Sequence, residues 1–202
     1  MTRLTPIPID SLNDQQKEVF DAITGGKRGT GRPIEEFVLP NGGMRGPFNA
    51  MLHHPAIGNA LQRMGEILRF EGTLSDALRE VAILTVGRHW KAQYEWWAHA
   101  RIAANVGVEA YARQQKAIIE AIYDKAPLPT EDAVTLAVHA FVKELVETQH
   151  VGQATYDAAI AALGETGVVE LVILAGYYGV VSGILNSFEV PLPEGATLPF
   201  DK

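Results

Sequence analysis

The chain has 202 residues, 47% hydrophobic and 20% charged, with no cysteine and a net charge of −7. Such a balance excludes a disordered chain and suits one folded domain spanning 1–202, while the missing thiols exclude disulfides, thiolate nucleophiles, zinc fingers, cysteine-ligated iron–sulfur clusters and CxxC redox pairs. Charge is uneven, with 6 basic and 6 acidic residues in 1–50, 8 and 6 in 51–119, and 3 and 12 in 120–202. This argues against nucleic acid as a partner and makes the middle of the chain the place to hold a small anionic molecule.

The first residues, MTRLTPIPIDSLNDQQ, lack the apolar run of a secretory signal, so a cytoplasmic setting is expected. Ser11 or Asn13 can cap a first helix carrying Leu12, Val19, Phe20 and Ile23, which ends at Gly25 and Gly26. Residues 25–47 hold seven glycines and three prolines and read as a long loop of the kind that is functional or mobile. A short helix is predicted over Phe48–His53. Pro55 then opens another to about Phe70, with Ile57, Leu61, Met64, Ile67 and Leu68 on one side.

Thr73 or Ser75 caps a helix reaching Trp90, and the next runs from Gln93 to Val106 and stops at Gly107. Two shorter pieces are predicted around Tyr111–Tyr123. After PLPTEDA, with Thr130 as N-cap, helices are predicted over 131–148, 152–163 and 166–188, followed by a Pro-rich tail over 189–202. The run VVELVILAGYYGVVSGIL, residues 168–185, imitates a membrane span, but it contains Glu170, and an intramembrane carboxylate is expensive. It reads as a buried core or subunit-interface helix, so no membrane partner is expected. Glu80-Val-Ala-Ile-Leu and Glu170-Leu-Val-Ile-Leu form a faint internal echo, compatible with two similar helical hairpins.

The densest chemical signal is RHWKAQYEWWAHA, residues 88–100, which contains all three tryptophans. On a helix of about 100° per residue, Glu95, His99, Ile102 and Val106 fall within about 60° of one another. Glu95 and His99 thus share an apolar stripe one turn apart. Burial raises a carboxylate's pKa and lowers an imidazole's, and pairing opposes both, so the pair is suited to moving a proton near neutral pH. Glu80 enters the apolar run Val81–Val86 and needs a partner, best supplied by the following helix. The structural reading of the same residues is an ion pair that ties helices together, and the tryptophans equally suit a core or an interface. His53 and His54 read either as solvated groups at a helix end or as a pocket mouth. Glu80, Glu95 and His99 also form a two-carboxylate, one-imidazole set, but there is no HExxH and no standard metal spacing, so no metal and no other cofactor is expected. Neither a phosphate-binding glycine loop nor a G-x-S-x-G elbow occurs.

At LSDALREVAILTVGRHWKAQYEWWAHARIAANVGV, residues 74–108, the sequence resembles the carboxymuconolactone decarboxylase family, which includes the alkylhydroperoxidase D-like (AhpD-like) proteins. The similarity extends more weakly to GPFNAMLHHPAIGNAL and VVELVILAGYYGVVSGILNSFEVPLP. It implies an all-α, AhpD-like helical bundle that forms homo-oligomers, trimers or hexamers. In the peroxidase branch an acid is followed by CxxC and then a histidine. Here the acid falls at Glu80 and the histidine at His99, but Ala92 and Glu95 stand at the cysteine places, against thiol peroxidase activity. In the decarboxylase branch an acid precedes the histidine by four residues, as Glu95 precedes His99.

The expectation is therefore a cofactor-free lyase resembling 4-carboxymuconolactone decarboxylase, acting on a small anionic lactone-like substrate. His99 is its proton donor, Glu95 its orienting acid and Glu80 a second acid/base or anchor. Arg88, Trp90, Tyr94, His53 and His54, with Tyr177 and Asn186 on the last helix, are the candidates for binding substrate. The alternatives are hydrolysis or hydration of a lactone at the same site, and an oligomeric binding protein without catalysis.

Overall fold

A computed structural model describes residues 2–106 and 109–201, without the side chains of 109–112. Among the described residues the chain is all-helical, relieved by 3-10 turns at Ile9–Ser11 and Ile34–Glu36 and by one isolated bridge between Val38 and Met44. It forms two compact units, Met1–Gly72 with Ile184–Pro191, and Thr73–Gly183 with Leu192–Lys202.

In the first unit, α1 (Asp14–Gly25) begins with a capping box. Asn13 Oδ1 accepts from Gln16 N at 2.9 Å, and Gln16 Oε1 accepts from Asn13 N at 3.0 Å. Helices α2 (Phe48–His53) and α3 (Pro55–Phe70) follow. Val19, Ile23, Phe37, Met44, Met51 and Leu52 make the core. The long glycine-rich loop is pinned to α3. Buried Glu66 accepts a hydrogen bond from Lys27 N at 2.8 Å, and a Cβ on Gly26 would lie 2.6 Å from Glu66 Oε1. That requirement splits the apolar side predicted for α3. Gly58, Gln62, Gly65, Glu66 and Leu68 face inward, whereas Ile57, Met64 and Ile67 are exposed.

The second unit is built around α4 (Asp76–His89), whose residues from Arg79 to Gly87 are all buried. Ser75 caps it, accepting from Leu78 N. It packs against α5 (Gln93–Ala103), α6 (Glu109–Asp124) and α7 (Ala133–Thr148). Helix α5 ends three residues short of Val106, and the expected stop at Gly107 lies outside the described residues. One continuous α6 replaces the two pieces predicted there. The cap of α7 is Asp132, not Thr130. The Asp132 carboxylate accepts from Thr135 N at 2.9 Å and opposes the positive end of the helix dipole, while Thr130 Oγ1 accepts from Asp132 N.

The last helix, α8, runs from Gln153 to Ser187 and contains the break predicted between 163 and 166. At Gly164 the backbone turns to φ 68°, ψ 176°, so two helices join without a loop. Glu170 accepts from Thr73 N and Oγ1, both at 2.6 Å, and clamps the entry to α4. The echo of Glu80 in Glu170 is therefore a likeness of sequence, not of use. By length and composition α8 could cross a membrane, and half of its most apolar stretch is buried within the protein. The Pro-rich tail is anchored: buried Phe200 stacks on Tyr123 with centroids 5.5 Å apart and meets Trp96 edge-on at 5.4 Å.

Candidate active site

Glu80, Glu95 and His99 converge inside the second unit. Glu80 projects from the buried middle of α4, on the helix face that also carries Leu84 and Gly87. Glu95 and His99 stand one turn apart on α5, which lies against α4. The His99 ring lies between the two acids, with Nδ1 2.7 Å from Glu80 Oε2 and Nε2 3.0 Å from Glu95 Oε1. Relative exposures of 1%, 4% and 7% for Glu80, Glu95 and His99 put the cluster out of solvent.

Burial by itself pushes the imidazole's pKa down. The charge of Glu80, then that of Glu95, and the hydrogen bond to Glu80 outweigh it and hold His99 up at about 9. At neutral pH the ring is an imidazolium that donates from Nδ1 to Glu80. The Nε2 contact with Glu95 is an ion pair and not a hydrogen bond, so Glu95 Oε1 lacks a hydrogen-bond donor. Buried Glu80 Oε1 lacks one as well. Two buried carboxylate oxygens without protein donors are placed to receive a proton or a hydrogen-bonding ligand group. The first turn of α5 favours the negative charge of Glu95, and buried Ala92 is that helix's N-cap. Both ring nitrogens of His99 already face carboxylates. Among the described residues no group of three or more His, Asp or Glu side chains is arranged to hold a metal ion.

Tyr178 closes one side of the cluster, its ring edge-on to His99 at 5.2 Å. The sequence reading missed it and named its neighbour Tyr177, which is buried and packs edge-on against Tyr178 at 5.2 Å. The available signal was the tyrosine pair itself in the mostly aliphatic stretch 171–185 of that helix. Periodicity along α8 does not say which of the two meets α5.

The remaining candidates lie elsewhere or are otherwise engaged. Arg88 is two turns along α4 from Glu80 and about 80° around it. Its Nε donates to the Tyr123 carbonyl, and its guanidinium covers Tyr123 and Phe200 at 5.5 and 5.2 Å from their centroids. Trp90 is exposed at the C-cap of α4, and Tyr94 packs on Trp97 at 5.7 Å. His53, His54 and Asn186 belong to the first unit. There exposed His53 meets the Thr5 carbonyl through Nε2 at 2.9 Å, and His54 Nδ1 caps α3 by accepting from Ile57 N. The two imidazoles thus hold backbone at a helix end. The carbonyl of exposed Asn186 accepts from Glu189 N.

No family model and no curated protein matches the chain. Solved structures do. An AhpD-core, peroxidase-related protein from Ralstonia eutropha JMP134 superposes with a TM-score of 0.69 at 14% identity, over 96% of this chain and 93% of its own. A peroxidase-related protein from Silicibacter sp. TM1040 gives 0.67 at 16% identity, over 94% and 91%. A variant of the debrominase Bmp8 in complex with 2,3,4-tribromopyrrole gives 0.70 at 14% identity, over 96% and 93%. The fold is that of the AhpD-like proteins.

Proposed function

We propose that this AhpD-like chain is a cofactor-free acid–base enzyme of the carboxymuconolactone decarboxylase type, acting on a small anionic, lactone-like substrate. One observation carries the reading: a buried imidazole held between two carboxylates on neighbouring helices. Loss of CO2 from such a substrate leaves an electron pair delocalised into the unsaturated lactone carbonyl. His99 delivers a proton to the carbon that must receive one, and Glu95 orients the ring. Glu80, hydrogen-bonded to Nδ1, stabilises the imidazolium between turnovers. A pKa above neutrality suits a proton donor more than a base. Because the three groups are buried, substrate reaches His99 only after covering side chains move, Tyr178 first among them. With no cysteine, thiol peroxidase chemistry is absent from the reading.

The same burial favours a second reading, an oligomeric binding protein in which the ion-paired cluster only ties α4 to α5. Incubation with 4-carboxymuconolactone and related lactones, followed by mass spectrometry, separates the two. Loss of CO2 marks a decarboxylase and gain of water a lactone hydrolase or hydratase. For the enzyme, His99→Ala lowers turnover by about 100-fold or more, and unchanged turnover in that variant would sink the role of His99.

The apolar stripe Val169, Val172, Ile173 and Val180 on α8 is exposed, as are Ile57, Met64 and Ile67 on α3. These faces support assembly of identical subunits.

A further inference from the structure

Away from His99, a cavity in the second unit is lined by Thr85, Arg88 and His89 of α4, Ile122 of α6, Lys125 just beyond it, and His139, Lys143, Val146 and Glu147 of α7. It shares no lining residue with the Glu80–His99–Glu95 cluster. The enclosed space is small, about 20 Å3, and the recess opens to solvent. Its charge runs against that of the surrounding chain. Residues 120–202 hold only three cations against twelve acids, and two of the three, Lys125 and Lys143, line this one cavity. Arg88 joins them from α4, with two imidazoles and one opposing carboxylate, Glu147. Among the described residues neither lysine pairs with an acid within 4 Å. Three permanent cations facing one carboxylate leave an excess of about two positive charges around a small recess. Mutual repulsion is the cost of that arrangement unless an anion offsets it.

We propose that this cavity is a second ligand site, for a compact doubly charged oxoanion of the phosphate class, either free or as the head of a small monoester. Lys125 and Lys143 supply point charges, and Arg88 adds a guanidinium already held by Tyr123 and Phe200. His139 is half-buried. Burial first, and then the charge of Lys143, hold its pKa below the usual range, against an upward pull from Glu147. Its neutral ring can therefore donate one hydrogen bond to an anion without adding charge. The site is independent of the proposed reaction.

The test is calorimetric titration of the full chain with inorganic phosphate and, separately, with phenyl phosphate, sodium chloride keeping ionic strength constant. The His139 ring signals are followed in parallel by NMR. Saturable binding at one site per chain is expected, with the His139 pKa rising on saturation. In the Lys125→Gln/Lys143→Gln protein, checked for helix content by circular dichroism, affinity falls about tenfold or more. Tighter binding of the monoester assigns an organic phosphate, and equal binding assigns the free ion. Absence of saturable binding to the wild-type chain, an unmoved His139, or equal affinity in the double variant overturns the proposal.

Discussion

His99 is an imidazolium at neutral pH because two carboxylates face it, and that fixes the sign of its effect on stability. Its pKa is about 9 in the folded chain against 6.5 for an ordinary imidazole. Below pH 6.5 the ring is protonated whether folded or unfolded, and its contribution is fully present. As pH rises from 6.5 towards 9 the unfolded chain gives up the proton first, so the contribution falls and is lost once pH passes the folded value. Urea unfolding of wild type and His99→Gln at pH 6 and at pH 9.5 should therefore show a stability gap that narrows at the higher pH, and a gap independent of pH would contradict the ion-pair assignment. At this scale much of the site was legible. A carboxylate entering an apolar helix requires a partner, and the i,i+4 spacing of Glu95 and His99 puts both on one stripe. Tyr178 was not legible, because its partner is 79 residues away and side-chain periodicity ranks Tyr177 and Tyr178 alike. Arg88 read as a substrate anchor because it is a cation near the histidine in sequence. Its position around α4 turns it towards Tyr123 and Phe200 instead.

Most helix boundaries follow from signals a few residues long, such as the Asn13–Gln16 capping box, the Ser75 cap and Pro55 in a first turn. Errors arose where two local signals competed. Thr130 and Asp132 both suit an N-cap, and the carboxylate prevails because it satisfies backbone donors and meets the helix dipole. Gly164 is the clearest case of a residue type imposed by backbone. Its φ of 68° with ψ of 176° is a region that other residues enter only under strain. Gly164→Ala should destabilise the chain by about 1–3 kcal/mol, measured by urea unfolding. Gly176→Ala, on the same helix with open space around the added methyl group, is the control and should cost far less.

At the scale of the molecule, the exposed apolar stripes are what a chain with two cores leaves over. Val172 and Val180 are 43% and 52% exposed, so replacing them removes little from either core. If α8 joins subunits, Val172→Glu/Val180→Glu should sediment as a monomer with unchanged far-ultraviolet circular dichroism, whereas the wild type sediments as a larger assembly. A wild-type monomer would remove the assembly reading while leaving the fold untouched.

The sequence by itself determined the all-α class, the order of the helices, the absence of thiol chemistry and the pairing of Glu95 with His99. Each of these depends on residue identity or on the 3.6-residue period, which is set by hydrogen bonds within one helix. Tertiary structure alone decided that Gly58, Gly65 and Glu66 turn inward on α3, that Tyr178 covers His99, and that Arg88, Lys125 and Lys143 face one recess. Those outcomes depend on which helix faces meet, and close packing between segments far apart in sequence settles that question without leaving a local pattern to read.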